Sequence, residues 1–484
     1  MMNLTLLTDF YELTMANGYL KQGQADKIAY FDMFFRRIPD GGGMAIMCGV
    51  DQLIEYLQEL KFTDEDIEYL ASKKIFAPEF LEYLRTFKFE CDVWCVPEGT
   101  PIFPGEPILT VRGPIMQAQF IETMVLLVIN HQSLICTKAN RICRAAEGKP
   151  VMEFGSRRAQ SALSAILGAR AAYIGGCTGT ACTLSDREYG IPALGTMAHS
   201  WIQTFDSEYE AFCAYARTYP NSCTLLIDTY NVLKSGVPNA IRCFDEVLKP
   251  MGCRPAGVRI DSGDLGWLSG EVRKKLDEAG YPDCKICVSN SLDEYVIREL
   301  LRNGAPIDSF GVGERLITSQ SEPIFGGVYK MCAVEHPGGT IEPKIKLSEN
   351  IGKINNPGIK ELWRLYDNQT GKALADVITL ADEVIDDSED YEIFDPENTW
   401  KRKTVYDFTA RRLRVELFKG GQLVYQRKSV QELQAYCKEQ VDTMWDSVLR
   451  FENPHKYYVD LSQNLWDLKW NLLRAGSQAK PDQH

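Results

Sequence analysis

The chain of 484 residues is longer than one ordinary hydrophobic core supports, so we expect two or three sub-structures. Its composition, with 45% hydrophobic and 25% charged residues, excludes a disordered chain. The net charge of −13 disfavours non-specific binding to nucleic acid or to an anionic membrane. Any anionic ligand must therefore be held by a local cluster of arginine, lysine and backbone N–H groups.

The sequence also indicates the compartment. The N-terminal stretch lacks the basic and long apolar segments of a signal peptide. The longest apolar run, near residues 124–129, is too short to cross a bilayer. The 15 cysteines are scattered, mostly through apolar segments, as buried free thiols are in a reducing compartment. We therefore predict a cytoplasmic protein with no membrane and no nucleic-acid partner.

The first flank, residues 1–130, mixes element types. Helical patterns cover residues 9–21, 50–60 and 64–73, a strand pattern covers 27–35, and prolines break residues 91–114 into short strands and turns. The second flank, residues 331–484, returns to strands and then helices, with a hairpin at 419–422. We predict that the two flanks form one α+β sandwich-like domain, split in sequence.

The middle of the chain, residues 131–330, has a regular rhythm. Short apolar runs end in polar or glycine-rich clusters, helical stretches separate most of them, and the repeat of roughly 20–35 residues is that of one βα unit. Unbroken apolar strands indicate a parallel sheet buried on both faces. With no dinucleotide fingerprint, these units predict an α/β fold closed into a (β/α) barrel. The runs occupy residues 151–158, 173–181, 192–201, 224–231, 257–264, 285–294 and 307–315.

In such a barrel the active site lies at the carboxyl ends of the strands. That is where this sequence keeps its unusual residues, although each could also belong to an ordinary turn: Arg157, Thr180, His199, Asp228, Asp261, Asn290 and Gly313.

Three glycine- or serine-rich segments, all expected on adjacent strands, suggest phosphate binding. They are Gly311 to Gly313, residues 288–294 with Asn290, and Lys330 beyond a glycine pair. The alternative for each is a tight turn.

Arg259 and Asp261 share one face of a strand, so both are expected to enter the barrel mouth. Asp261 either caps the following turn or binds ribose hydroxyls or a hydrated Mg²⁺. Arg157 offers a second guanidinium and Phe154 a flat surface. His199 is either a packed imidazole or a base or nucleophile.

Together these residues resemble the nicotinate phosphoribosyltransferases. The resemblance spans nearly the whole chain, and it implies a type II phosphoribosyltransferase barrel and a head-to-tail homodimer with shared active sites. It also implies an ATP-coupled reaction in which nicotinate and phosphoribosyl pyrophosphate (PRPP) give nicotinate mononucleotide and pyrophosphate, the first step of NAD salvage from nicotinate. The motifs are TDFYELTMA (8–16), FDMFFRRIP (31–39), EFGSRRAQ (153–160), GTMAHSW (195–201), RIDSGDL (259–265), FGVGERLITS (310–319) and GGVYKM (326–331).

Residue by residue, the resemblance implies that Tyr11 of the partner subunit and Phe154 stack on the two faces of the pyridine ring. Arg259 then holds the nicotinate carboxylate or the phosphate side of the ribosyl group, with Arg157 and Thr196 nearby.

The resemblance further implies that Asp261 contacts the ribose and that ATP phosphorylates His199. The chemistry of the departing pyrophosphate adds Mg²⁺. Glu314 stands where many relatives have threonine, so a phosphate contact there is either backbone-only or rearranged. The implied phosphate-binding residues are Arg36 of the partner subunit, Asn290, Gly311, Gly313, Glu314 and Lys330.

Three rival functions compete with this one. Nicotinamide-specific relatives place an aspartate near residues 179–183, where this chain has the neutral Ala181. Quinolinate enzymes of this fold are usually much shorter and lack the ATP histidine. A catalytically dead barrel that only binds a partner is disfavoured by the presence of His199, Arg259 and Asp261.

Overall fold

A computed structural model describes residues 3–348 and 354–478. The chain divides into two compact units. We call the first the split unit, because it combines Met1–Leu134, Ile324–Lys428 and Ala435–His484. The second, the central unit, combines Ile135–Pro323 and Ser429–Gln434.

The strands are β1 (Ile28–Phe35), β2 (Ala45–Ile46), β3 (Asp92–Cys95), β4 (Pro101–Ile102), β5 (Leu109–Pro114), β6 (Val151–Glu153), β7 (Gly179–Thr180), β8 (Thr224–Leu226), β9 (Gly257–Ile260), β10 (Lys285–Ser289), β11 (Ser309–Val312), β12 (Gly327–Glu335), β13 (Ile341–Pro343), β14 (Lys360–Asp367), β15 (Ala373–Leu380), β16 (Tyr391–Phe394), β17 (Arg402–Val405), β18 (Phe408–Arg412), β19 (Val415–Lys419), β20 (Gln422–Leu423) and β21 (Val459–Leu461).

The α-helices are α1 (Phe10–Lys21), α2 (Val50–Glu59), α3 (Asp64–Ser72), α4 (Pro78–Arg85), α5 (Ile115–Phe120), α6 (Glu122–Ala145), α7 (Ala162–Ile174), α8 (Thr183–Tyr189), α9 (His199–Gln203), α10 (Glu208–Thr218), α11 (Val237–Cys243), α12 (Leu265–Glu278), α13 (Glu294–Arg302), α14 (Glu314–Ile317), α15 (Val430–Asp442) and α16 (Gln463–Gln478). Among the residues that the structure describes, no helix is both long and apolar enough to cross a bilayer.

The central unit contains a parallel sheet with the strand order β7-β6-β11-β10-β9-β8. The first strand of this sheet in sequence, β6, pairs with the last, β11, as closure of a barrel requires. A parallel bridge from Thr180 to Ala193 adds a seventh strand position to the sheet. Each of the seven predicted apolar runs therefore contributes one strand position. Between Ala193 and β8 the described residues form no ladder. The prediction of an irregular α/β barrel is therefore confirmed.

Apolar residues explain the burial of this sheet. Val258, Ile260, Ile286, Val288 and Phe310, on β9 to β11, are fully buried. The intervening positions, which face the other side, are mostly buried too, such as Cys287 and Ser289 on β10, so these strands are covered on both faces, as parallel strands packed between helices are.

The helices that follow the strands begin at polar caps. Asp264 accepts a hydrogen bond from the Trp267 N–H at the start of α12, and Asp293 does the same for α13. The N-cap of α12 is thus Asp264 and not Asp261. This leaves the Asp261 carboxylate at the strand end.

The split unit is built mainly from antiparallel strands. One sheet has the order β13-β12-β1-β5-β3-β19-β20 and another the order β18-β14-β15-β21. The predicted hairpin joins β19 to β20 through Gly420 and Gly421, both with positive φ. A Cβ at Gly421 would lie 1.8 Å from the Phe89 carbonyl oxygen, so only glycine fits there.

One expectation about strand order was wrong. Lys330 lies on β12, which pairs antiparallel with β1 in the split unit, and not on a strand adjacent to β10 and β11. A short apolar run after a glycine pair has the same pattern in either kind of sheet, so the sequence could not separate the two.

Candidate active site

Arg259 and Asp261 meet at the carboxyl ends of β9 and β10. The Arg259 Nε donates a hydrogen bond to the Ser289 hydroxyl at 2.9 Å, and its Nη2 donates to Asp261 Oδ1 at 3.0 Å. The Ser289 hydroxyl donates to the same carboxylate oxygen. The prediction that Arg259 and Asp261 share a face is confirmed, and Ser289 ties them together.

Phe154, just after β6, completes this group. The guanidinium carbon of Arg259 lies 5.5 Å from the centroid of the Phe154 ring. A Cβ on Gly311 would come within 2.5 Å of that ring, so glycine is needed on β11 for the ring to lie there. The resemblance made Gly311 a phosphate contact, and the structure adds this steric reason for a glycine.

His199 is the first residue of α9. Its Nδ1 lies 3.1 Å from the Thr229 hydroxyl and its Nε2 lies 3.8 Å from Asp261 Oδ2. Its side chain is 40% exposed, so the imidazole is not the packed core residue of the alternative interpretation. We call Phe154, His199, Arg259, Asp261 and Ser289 the strand-end cluster.

Asp228, after β8, supports this cluster. Its Oδ2 accepts hydrogen bonds from the Asp261 N–H at 2.9 Å and from the Ser262 hydroxyl at 2.6 Å. Its Oδ1 is buried and has no partner among the described residues. A buried acceptor without a donor is costly, which suggests that a ligand completes it. The sequence marked Asp228 only as a strand-end residue and gave no sign of Thr229.

Glu153 was missed altogether. It lies buried on β6, where it accepts a hydrogen bond from the Thr180 hydroxyl at 2.6 Å and another from the Gly155 N–H. Burial raises the pKa of this carboxyl. Glu153 therefore fixes the loop that carries Phe154 and Arg157. The signal that could have identified Glu153 from the sequence was an acidic residue within an apolar strand pattern.

The remaining residues predicted in this unit lie in the loops after the strands. Arg157 is exposed and forms no ion pair within the described ranges. The Thr196 hydroxyl is buried and has no partner there either. Asn290 has a φ of 92°, a strained value for a residue other than glycine, and strain of this kind is common at binding sites.

Glu314 follows Gly313 at the start of α14. Its Oε2 lies 3.9 Å from the Arg158 Nε, and its Oε1 lies 3.5 Å from the Ser291 hydroxyl. Both atoms belong to neighbouring loops of the central unit. The carboxylate thus has a cation and a hydroxyl beside it.

Tyr11, Arg36 and Lys330 belong to the split unit. The Lys330 ammonium lies 3.8 Å from Glu122 Oε1. Burial and the carboxylates of Glu122 and Glu12 raise the pKa of Tyr11. Glu122 thus stands between Tyr11 and Lys330, a role that nothing in the sequence indicated. Arg36 is exposed just after β1.

Within the two described ranges, no three His, Cys, Asp or Glu residues are grouped as metal ligands. Asp261 and the unpartnered oxygen of Asp228 are nevertheless hard donors of the kind that Mg²⁺ takes when a substrate phosphate supplies other ligands. These residues fit a substrate-borne Mg²⁺ and not a cage made by protein alone.

Comparison with known proteins extends over most of the chain. Family models match for the nicotinate phosphoribosyltransferase N-terminal domain at residues 6–130, the nicotinate phosphoribosyltransferase family at 150–355 and the C-terminal domain at 359–469. The nicotinate phosphoribosyltransferase of Bacillus subtilis is 40% identical over 97% of this chain and 95% of its own length. The human enzyme is 31% identical over 97% of both chains.

Solved structures give the same result. The crystal structure of human nicotinic acid phosphoribosyltransferase aligns with a TM-score of 0.84 and 29% identity, covering 96% of this chain and 100% of that one. A nicotinate-nucleotide pyrophosphorylase from Pyrococcus furiosus shares the fold, with a TM-score of 0.68 and 24% identity over 91% of this chain and 96% of its own. The chain belongs to the nicotinate phosphoribosyltransferase family.

Proposed function

We propose that this protein transfers the phosphoribosyl group of PRPP to nicotinate, giving nicotinate mononucleotide and pyrophosphate, the first step of NAD salvage from nicotinate. The observation that carries the proposal is the Arg259 guanidinium, held by Ser289 and Asp261 beside the Phe154 ring. A flat aromatic surface next to a fixed cation suits a planar ring that bears a carboxylate.

The chemistry requires positioning more than proton transfer. Loss of pyrophosphate from C1 of the ribose develops positive charge on the sugar, and the Asp261 carboxylate would stabilise that charge and hold the ribose hydroxyls. The pyridine nitrogen is already nucleophilic, so no strong base is needed. The new C1–N bond forms as the C1–O bond to pyrophosphate breaks.

When bound, Mg²⁺ would neutralise charge on the pyrophosphate as it leaves. Asp228 and Asp261 are the residues that would face this ion or its water ligands. Asn290, Gly313 and the backbone beside Glu314 would hold phosphate oxygens.

His199 would couple ATP to the transfer. Because Nδ1 faces the Thr229 hydroxyl, Nε2 is the nitrogen that would take the phosphoryl group. The N–P bond would form as the bond between the γ-phosphorus and its bridging oxygen breaks, and ADP would leave.

The nicotinamide alternative has less support. Ala181, which is exposed and neutral, stands where nicotinamide-specific relatives place an aspartate for the amide substrate.

A single experiment tests the function: turnover of nicotinate, nicotinamide and quinolinate, each with and without ATP, by the wild type and by His199→Asn. We expect the wild type to prefer nicotinate and to be stimulated by ATP. His199→Asn should keep slow ATP-independent transfer and lose ATP hydrolysis and acid-labile phosphate labelling. Wild-type labelling of His199→Asn would show that another residue accepts the phosphoryl group. Equal use of nicotinate and nicotinamide would contradict the substrate assignment.

We also propose a cytoplasmic homodimer in which Tyr11 and Arg36 of one subunit complete the site of the other, and in which Lys330, expected from the sequence to act within its own subunit, accompanies Tyr11. The grouping of Tyr11 and Lys330 around Glu122 supports a common role for them. The free cysteines support a reducing compartment. Mixing Tyr11→Ala chains with Asp261→Asn chains should restore part of the activity, since one hybrid site is intact. A fully active monomer by sedimentation would contradict the shared site.

A further inference from the structure

Two loops leave neighbouring strands at the same edge of the central unit's sheet, because β10 and β11 pair in parallel. We call residues 290–293 the β10 loop and residues 313–315 the β11 loop. The proposed function assigns phosphate oxygens to groups on both: Asn290 on the first, and Gly313 and the backbone beside Glu314 on the second. Two loops can hold one substrate only if the spacing between them is fixed.

The β10 loop has a strained backbone. Asn290 and Ser291 are consecutive residues with φ values of 92° and 50°, in the left-handed region that favours glycine. Both residues are exposed, so burial of their side chains does not hold the backbone in this conformation. Strain of this kind persists only where neighbouring structure holds the chain. The loop therefore depends on contacts made after Ser291.

The end of the β10 loop is anchored inside the central unit. Leu292 is buried, and so is Glu294, the first residue of α13. Glu294 Oε1 accepts hydrogen bonds from Lys138 Nζ at 3.0 Å and from Arg141 Nε at 2.9 Å, both on α6. These contacts fix the loop to α6, but none of them reaches the β11 loop. They cannot by themselves set the spacing between the two loops.

An ion pair joins the two loops directly. Arg315, in the β11 loop, donates from Nη1 to Oδ2 of Asp293, in the β10 loop, at 2.5 Å. The other oxygen of the same carboxylate accepts hydrogen bonds from the N–H groups of Tyr295 and Val296 at the start of α13. Asp293 thus caps a helix with one oxygen and holds the β11 loop with the other.

The β11 loop is supported on its other side by α14. Ile317, on this helix, packs so closely on Gly155 that a Cβ there would lie 2.5 Å from the Ile317 Cβ. A second contact between the loops, from the Ser291 hydroxyl to Glu314 Oε1, is 3.5 Å long and correspondingly weak. Because α14 is held against the loop after β6, the ion pair of Arg315 ties the β10 loop to a fixed support.

The exposure of this pair separates its role from folding stability. The side chains of Arg315 and Asp293 are 35% and 18% exposed, and partly exposed ion pairs contribute little to stability. The pair is therefore better placed to set the geometry of the loops than to hold the fold together.

We propose that Asp293 and Arg315 are positioning residues for the phosphoribosyl transfer. Their ion pair holds the strained β10 loop in register with the β11 loop, so that both loops meet the phosphate oxygens of PRPP at once. The inference rests on the proposed function, and it adds two residues that act through the loops without touching the substrate. Loss of the pair lets the β10 loop relax, which weakens PRPP binding and leaves the nicotinate side at Arg259 and Phe154 unchanged.

The test is a double-mutant cycle on the full chain with Asp293→Asn, Arg315→Gln and both together. Asparagine caps helices as well as aspartate, so Asp293→Asn removes the charge and keeps α13 capped. Each single variant should raise KM for PRPP about three- to fivefold and leave KM for nicotinate unchanged. The double variant should be no weaker than either single variant, because all three lose the same interaction. Arg315→Lys should bind PRPP better than Arg315→Gln, since lysine keeps a cation for Asp293.

Arg242→Gln is the matched control, because Arg242 pairs at 3.0 Å with Glu246, four positions along the chain, and not with another loop. It should have the wild-type KM for PRPP, and thermal unfolding should show that every variant is folded. A purely structural role would lower kcat or the unfolding temperature without changing KM for PRPP, and that result overturns the proposal. So does a double variant whose KM for PRPP rises by the product of the two single effects, because the two residues then act independently.

Calorimetric binding of pyrophosphate with Mg²⁺ separates this inference from the proposed function. If the wild type does not transfer phosphoribosyl to nicotinate, the proposed function fails, and the cycle is then measured on pyrophosphate binding. The positioning role stands if the variants weaken that binding as a coupled pair. It is overturned if the variants bind pyrophosphate as the wild type does, or if the wild type binds none.

Discussion

One arginine–aspartate pair of the split unit and one of the central unit differ in how they meet solvent. In the split unit, Arg364 donates to both carboxylate oxygens of Asp376, at 2.7 and 2.6 Å, and neither side chain is exposed. In the central unit, Arg259 donates to one oxygen of Asp261 at 3.0 Å, and the side chains are 13% and 25% exposed.

The partners of each pair show what it does. Arg364 also donates to the Pro101 carbonyl at 2.8 Å, and the Tyr457 hydroxyl donates to Asp376 at 2.9 Å. Both oxygens of that carboxylate are used inside the fold. Asp261 keeps Oδ2 directed towards His199, and Arg259 keeps donors that Asp261 and Ser289 do not use. The first pair holds strands together, whereas the second leaves hydrogen-bonding capacity for a ligand.

The first prediction breaks the buried pair. Arg364→Leu strands the Asp376 charge inside the protein, so the free energy of unfolding should fall by about 3–5 kcal/mol. Urea denaturation followed by circular dichroism measures this loss. Replacing both residues with leucine should cost less than Arg364→Leu alone, because no charge is then left unpaired. If Arg364→Leu is as stable as the wild type, the folded protein does not need Arg364 to stabilise the buried charge of Asp376.

The second prediction removes the arginine of the partly exposed pair, Arg259 and Asp261. Arg259→Leu should leave the free energy of unfolding within about 1 kcal/mol of the wild type, because Asp261 remains partly solvated. The value of kcat/KM for nicotinate should fall at least tenfold, since a charge-assisted hydrogen bond contributes about 1.5–3 kcal/mol. Steady-state kinetics and urea denaturation of the same preparation measure both. A large loss of stability with normal kinetics would reverse the roles assigned to the two pairs.

The third prediction adds a charge to the open site instead of removing one. Ala181→Asp places a carboxylate at an exposed position after β7, so the fold should be unaffected. Nicotinate carries a carboxylate and nicotinamide does not, so the ratio of their kcat/KM values should shift towards nicotinamide, by a few-fold in a partly solvated site. Ala181→Asn, which adds a similar volume without charge, is the control. An equal shift in both variants would mean that shape and not charge sets the preference.

The two units also differ in how well the sequence predicted them. In the central unit each strand is a short apolar run with a polar end, so the barrel and the Arg259–Asp261 face followed from local pattern, whereas His199, expected at a strand end, is the first residue of α9. In the split unit the pairing of β12 with β1 joins residues about three hundred positions apart, and no local pattern specifies such a partner. The same limit hid Glu122 beside Lys330 and the oxygen of Asp228 that lacks a partner. These features depend on distances between distant segments, which composition and spacing do not contain.

The fourth prediction, the smallest, concerns a carboxylate of the split unit that has no arginine beside it. Glu12 accepts hydrogen bonds from the Thr123 hydroxyl at 2.9 Å and N–H at 3.2 Å, and burial raises its pKa from 4.5 to about 7. The fold therefore favours the protonated acid. The resulting stabilisation is complete below pH 4.5 and is lost as the pH rises through 7.

Glu12→Gln removes this titration while keeping one hydrogen-bond acceptor. The variant should gain stability relative to the wild type between pH 5 and pH 8, because only the wild type must ionise a buried acid over that interval. Urea midpoints at the two pH values measure the change, with Glu59→Gln, an exposed position at the end of α2, as the control for lost charge. If the difference between variant and wild type is the same at both pH values, Glu12 is solvated in the folded protein. The contrast between a buried carboxylate, such as Asp376, and a partly exposed one, such as Asp261, would then not extend to Glu12.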